Sequence, residues 1–148
     1  MATDAVLAAR VVTAARAWIG TPYLHQASLK GVGTDCLGLV RGVWRELHGD
    51  EPETPPPYSP WWGETGGTEP LAEAARRHLR EVDLDAIGEG DVVLFRMVRS
   101  SPAKHCGIVA GMRGRPSLIH TWSGHRVAEV PFDEAWRRRL AYVFAWEV

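Results

Sequence analysis

Gly33-Thr34-Asp35-Cys36-Leu37-Gly38 decides the reading of this chain, because it sets a cysteine at the start of a helix. Residues 35–48 carry Cys36, Leu39, Val40, Val43 and Leu47 on one stripe, the spacing of an amphipathic helix. Thr34 is the expected N-cap, its hydroxyl accepting from a first-turn amide. Gly49 stands where a helix C-terminal glycine belongs. A thiol in the first helical turn faces free amides and the positive end of the helix dipole. Both favour the thiolate, and the local amides can also donate to an oxyanion. The bland alternative is a small buried hydrophobe on an apolar stripe.

Upstream, residues 4–19 predict a helix whose inner face is Leu7, Val11, Ala14 and Trp18. It is ended by Gly20-Thr21-Pro22 and followed by a polar loop over 23–33. Downstream, residues 51–60 hold five prolines and form no regular element, with Tyr58, Trp61 and Trp62 as anchors. A weaker helix is expected over 68–80, capped by Thr68. The pattern then changes period. Strands are predicted over 91–97, 105–110, 117–122, 125–130 and 140–146, with Ser123-Gly124 as a tight two-residue turn and a helical turn over 133–138. Helices first and an antiparallel meander after predict an α+β domain spanning 1–148. Its N-terminal helices should pack on one face of a sheet of about five strands.

The bulk properties bound the function. At 148 residues and a net charge of −1, the chain has the size of one domain and no electrostatic case for nucleic acid or an anionic membrane. Its two cysteines make no disulfide framework, although a single Cys36–Cys106 bridge stays open as an alternative. No stretch has the length of a membrane span. The N-terminus lacks the basic start and long apolar core of a signal peptide, so synthesis in the cytoplasm is expected.

Two histidines complete the chemistry. Strand alternation sets His105, Gly107 and Val109 on one face and Cys106, Ile108 and Ala110 on the other. A loop over 111–114 sets His120 directly opposite His105; a slightly different loop makes the pair diagonal and still within reach. Cys36, His105 and His120 then have the types and order of a nucleophile, its base and the group that orients the base. Zinc is disfavoured, since His105 and Cys106 point to opposite faces and no metal-binding spacing is present. No cofactor is called for.

The landmarks Trp18-Ile19-Gly20-Thr21-Pro22-Tyr23, Asp35-Cys36-Leu37-Gly38, Gly90-Asp91, His105-Cys106-Gly107-Ile108 and Ile119-His120 occur in the order found in the NlpC-type cell-wall peptidases, which the chain resembles over nearly its whole length. The resemblance implies a papain-like fold, with Cys36 attacking a peptide carbonyl, His105 as base and His120 orienting it. It also implies that the Cys36 amide and the Tyr23 hydroxyl stabilise the oxyanion, and that Asp35 helps to recognise the substrate amine. The implied substrate is the peptide stem of peptidoglycan. Two departures stand out. Leu37 occupies a position where many relatives carry serine, which bears on the cut site. The Tyr58-Ser59-Pro60-Trp61 loop is similar to the branch encoded in phage tail clusters and gene transfer agents, which implies tail or baseplate partners. A non-catalytic tail-tip subunit and a cell-wall amidase on the same scaffold are the competing readings. Among the other residues, His25 and His125 are weaker candidates for the cleft, and Trp61, Trp62 and Trp122 for its floor.

Overall fold

The structure, a computed structural model, describes residues 3–53, 55, 68–112 and 114–147; the proline-rich segment with Tyr58, Trp61 and Trp62 lies outside them. The described elements run α1 (Ala5–Arg16), β1 (Ser28–Leu29), β2 (Gly33–Thr34), α2 (Cys36–His48), α3 (Pro70–His78), β3 (Arg80–Val82), β4 (Val92–Phe95), β5 (His105–Gly111), β6 (Ser117–His120), β7 (Ala128–Pro131), α4 (Glu134–Arg137) and β8 (Leu140–Ala145). β3 to β8 form an antiparallel sheet in the order β3-β8-β4-β5-β6-β7. The α+β expectation holds, with six strands in this sheet rather than about five. The added strand, β3, lies at the sheet edge and pairs Arg80 with Ala145 and Val82 with Val143. Arg80-Glu81-Val82 has neither apolar run nor alternation, so only its pairing with β8 makes it a strand.

α1, α2 and α3 cover one face. Leu7, Val11, Leu39, Val43 and Leu71 pack there against Val92, Leu94, Cys106, Ile108 and Phe144. The opposite face carries Val93, Phe95, Val109, Leu118 and Val143, closed by Phe132 and by Trp136 of α4. Burial on both faces explains why Val92-Val93-Leu94-Phe95 reads as a continuous apolar run without alternation.

The helix caps differ from expectation in an instructive way. α2 is capped by Asp35, not Thr34: the carboxylate accepts the Gly38 amide proton at 2.7 Å. Thr34 is already committed to β2, and its hydroxyl donates to the Asp35 carbonyl. α3 starts on Pro70 after Glu69, not after a Thr68 cap. The Glu69 carboxylate is drawn instead to Arg96 at 2.8 Å and to the Tyr142 hydroxyl at 3.1 Å. α1 closes at Arg16, three residues early, yet Trp18 is still buried. Its indole lies against Gly42 of α2, where a Cβ would stand 2.0 Å from the ring. The tryptophan of the entry motif thus presses on a helix that has no side chain at that point. Gly49 ends α2 at φ +84°, a conformation glycine adopts without a Cβ penalty.

The Gly90-Asp91 landmark is structural. Asp91 is fully buried and accepts from the Thr3 hydroxyl at 2.8 Å and the Gly88 amide at 2.8 Å. Burial nevertheless pushes its carboxyl above the usual range. The Thr3 hydroxyl also accepts the Trp146 amide proton at 2.9 Å, and the Trp146 indole donates to the Gly90 carbonyl at 2.8 Å. Both described ends of the chain therefore meet at the head of β4.

Candidate active site

α2 delivers Cys36 as its first residue. The tie that holds this helix head is Asp35, which is 3% exposed: one carboxylate oxygen takes the Gly38 amide and the other takes the Gln26 amide at 2.8 Å. Two backbone amides thus fasten the carboxylate expected to meet a substrate amine, and it sets the helix start against the 23–35 loop. Gly38 is fitted just as closely. A Cβ there would stand 2.0 Å from the Ala27 carbonyl oxygen, so the Asp-Cys-x-Gly spacing is a steric requirement.

The half-buried Cys36 thiol points at the Lys104 carbonyl oxygen, 3.8 Å away, where β5 begins. The Cys106 thiol and the His105 imidazole both act on the sulfur there. The Cys106 hydrogen bond, with the hydrogen bond and charge of His105, pulls the Cys36 thiol well below the ordinary thiol range against the opposing effect of burial. The Cys106 thiol is pushed the other way, first by its bond to Cys36 and then by burial. The two cysteines are neighbours and unbonded, which removes the disulfide alternative from this structure.

β5 and β6 supply the two imidazoles. Ile108 pairs with Ile119 and Val109 with Leu118, with a bulge before Gly111 and Ser117. Continued toward the site, that register sets His120 across from Gly107, two positions from His105, so the pair is diagonal rather than directly opposite. Gly107 makes room for it: a Cβ there would meet the Leu118 side chain at 2.7 Å and the His120 Cβ at 3.1 Å. His105 Nε2 and His120 Nδ1 are 2.9 Å apart, and both residues are buried. Burial, with the nearby His105 and His125 charges, lowers the His120 imidazole to about 3. His120 is therefore neutral near pH 7, and its Nδ1 is placed to accept an Nε2–H from His105. Its own proton then sits on Nε2, and Nδ1 of His105 is left for the sulfur.

Tyr23 borders the site. Its isolated bridge to Thr34 holds it beside the helix head. Burial first, then the Asp35 and Cys36 charges, raise its phenol, so it remains a protonated donor. His25 lies 4.0 Å from the Asp35 carboxylate and is near the site's edge. His125 is exposed and packs on Trp122. β7 starts at Ala128, not 125, so Ser123-Gly124 is not a two-residue hairpin turn. The 121–127 connection is folded by the Thr121 hydroxyl on the His125 carbonyl at 2.8 Å, and it is tied to the 20–21 turn through Val127. The sequence offered Cys106 only as a disulfide alternative, not as a hydrogen-bond partner of the sulfur, and did not single out Trp136 as a neighbour of both imidazoles. A helical turn over 133–138 was legible, but not the direction in which its indole points.

An α+β fold with a cysteine at the head of a helix, beside two hydrogen-bonded histidines on an antiparallel sheet, has the arrangement of the papain-like cysteine peptidase class. The NlpC/P60 family model matches residues 20–144, and the chain belongs to that family. Solved structures agree in fold. A lipoprotein-like NLP/P60 protein from Staphylococcus aureus superposes with a TM-score of 0.65 at 16% identity, covering 98% of this chain and 43% of that one. The NlpC/p60 domain of the peptidoglycan hydrolase SagA gives 0.63 at 20% identity, covering 93% and 97%. An NlpC/P60 protein from Bacillus cereus gives 0.64 at 21% identity, covering 95% and 40%. The chain thus spans less than half of the staphylococcal and Bacillus proteins and nearly all of the SagA domain. No curated protein sequence matches it.

Proposed function

We propose that this protein is a cysteine endopeptidase that hydrolyses the peptide stem of bacterial peptidoglycan. The observation that carries the reading is the 2.9 Å His105–His120 pair beside the Cys36 sulfur at the head of α2, where His105 helps to draw the thiol below its ordinary range. Cys36 attacks the carbonyl carbon, and the oxyanion takes the Cys36 amide and the Tyr23 hydroxyl as donors. His105 gives its proton to the leaving amine. It then takes one from the water that hydrolyses the thioester, returning free Cys36. Neutral His120 holds His105 in the one orientation that serves both steps. The substrate class is supported by family membership and by the SagA domain, whose parent protein is a peptidoglycan hydrolase. Leu37 leaves the usual serine hydroxyl out of the cleft, so recognition of the stem's amino end falls to other groups.

Carriage to the wall by a phage-like tail particle belongs to the same proposal. The Tyr58-Ser59-Pro60-Trp61 stretch and its likeness to the tail-cluster branch support it. Action would then be local, at the cell wall beneath the particle. Digestion of purified peptidoglycan by the wild type and by Cys36→Ala, with masses of the released fragments, tests the activity. Fragments cut within the stem peptide support it; stems released whole from the sugar indicate an amidase, and no release by the wild type overturns it. Mass spectrometry of purified particles tests the carrier, and absence of the chain from them removes that part.

A further inference from the structure

Trp136 is absent from the family landmarks, yet it touches both imidazoles. It sits on α4, a single turn fastened by the Asp133 carboxylate, which accepts the Trp136 amide proton at 3.2 Å. The indole stacks on the His105 ring at 5.6 Å and 28°, and meets His120 edge-on at 4.8 Å and 75°. Phe95 at 5.0 Å and Trp122 at 5.4 Å hold the indole from two other sides. Trp122 takes the solvent-facing position, 39% exposed, while Trp136 is half-buried behind it.

We propose that Trp136 is a positioning residue for the reaction, fixing the plane of the His105 ring and keeping water from His120. The proposal rests on the reading of Cys36 and His105 as the reactive pair. Two effects follow from the geometry. A stacked indole restricts rotation of the His105 ring, and its π-face attracts the ring when it is protonated. The same indole closes the sheet face over His120, whose burial keeps it neutral and therefore able to accept from His105. The titratable groups around the pair are His125 on the 121–127 connection, Cys36 on α2 and Cys106 on β5. On α4, Asp133 is bound to the Trp136 amide and Arg137 lies over the Phe132 ring at 4.7 Å, while Lys104 presents its carbonyl to the sulfur.

The test measures kcat and KM against pH for the wild type, Trp136→Phe and Trp136→Leu, together with the rate of Cys36 alkylation by iodoacetamide. Trp136→Leu is expected to lower kcat about tenfold to a hundredfold with KM little changed, since a reacting group held about 1 Å out of line loses on that order. Its acidic limb should move to higher pH, because a wetted His120 takes up a proton at milder acidity and stops accepting. Trp136→Phe keeps a ring against His105 and should recover most of the rate and the wild-type limb. A Trp136→Leu profile with the wild-type acidic limb, or a loss confined to KM, overturns the proposal. If Trp136→Leu does not fold, the Phe variant decides: an acidic limb and a kcat that both match the leucine expectation contradict a role for the ring. Alkylation needs no substrate, so slow labelling of wild-type Cys36 at pH 5.5 refutes the reactive pair itself, a result distinct from failure at Trp136.

Discussion

Replacing Gly38 by alanine tests the idea that the head of α2 is built to fixed tolerances. The new Cβ would stand 2.0 Å from the Ala27 carbonyl oxygen and 2.4 Å from the Thr34 hydroxyl oxygen. Ordinary contact is about 3.5 Å, so relief requires a movement of roughly 1.5 Å. The nearest obstacle is a backbone carbonyl rather than the end of a flexible side chain, so the helix head itself must shift. That shift strains two bonds, Gly38 N–H to Asp35 at 2.7 Å and the Ser28 hydroxyl to the Gly38 carbonyl at 2.6 Å. Overpacking of this kind costs about 1–3 kcal/mol, and a weakened cap adds about 1 kcal/mol. A chain of this length loses about 2–4 °C in Tm per kcal/mol, which gives a fall of about 4–16 °C. Cys36 lies two residues away, and its displacement should lower kcat/KM about a hundredfold even where the protein is fully folded. Thermal melts followed by circular dichroism, and initial rates on purified peptidoglycan at a temperature below both transitions, read the two effects. A variant that melts within about 1 °C of the wild type and cleaves within about twofold of its rate would refute the argument from steric fit.

Other expectations follow from the same geometry. His120→Ala removes the acceptor of His105 and should lower kcat/KM about 10²- to 10³-fold, with the fold unchanged by near-ultraviolet circular dichroism. His120 also carries a pH signature. Its pKa is about 3 when folded and near 6.5 when free, so its contribution to stability is full above pH 6.5 and is lost as pH falls from there toward 3. The full interval is worth roughly 5 kcal/mol at most, and His120→Asn should flatten that part of a urea-denaturation series. Cys106→Ala removes the thiol that donates to Cys36, so alkylation of Cys36 should slow at pH 5–6 relative to the wild type while converging above pH 9. Asp91→Ala leaves the Thr3 hydroxyl and the Gly88 amide without their acceptor, and should cost about 1–3 kcal/mol by chemical denaturation with kcat nearly unchanged.

The three side chains that the structure brings together, Cys36, His105 and His120, were legible because each carries its own local signal: a cysteine beside a capping residue, and histidines embedded in apolar strand runs. The caps were harder, because Thr34 and Asp35 are both good N-cap residues and only the pairing of β2 with β1 decides between them. β3 was invisible for a related reason, since nothing in Arg80-Glu81-Val82 is strand-like until β8 lies beside it. The diagonal placement of the histidines depends on a bulge between Val109 and Gly111, a one-residue matter that loop length does not determine. Trp136 and Cys106 were missed as site residues because their part in it comes from where a side chain points after two faces of the sheet have been covered. Their residue types carry no signal of that.

The buried triangle of Thr3, Asp91 and Trp146 has a consequence for engineering. Residues 3 and 146 are in direct contact through a 2.9 Å hydrogen bond, so a peptide of a few residues is enough to join them. A circularly permuted protein, spliced there and reopened in the exposed 84–86 turn, would keep every strand neighbour and leave the sulfur and both imidazoles on uninterrupted elements.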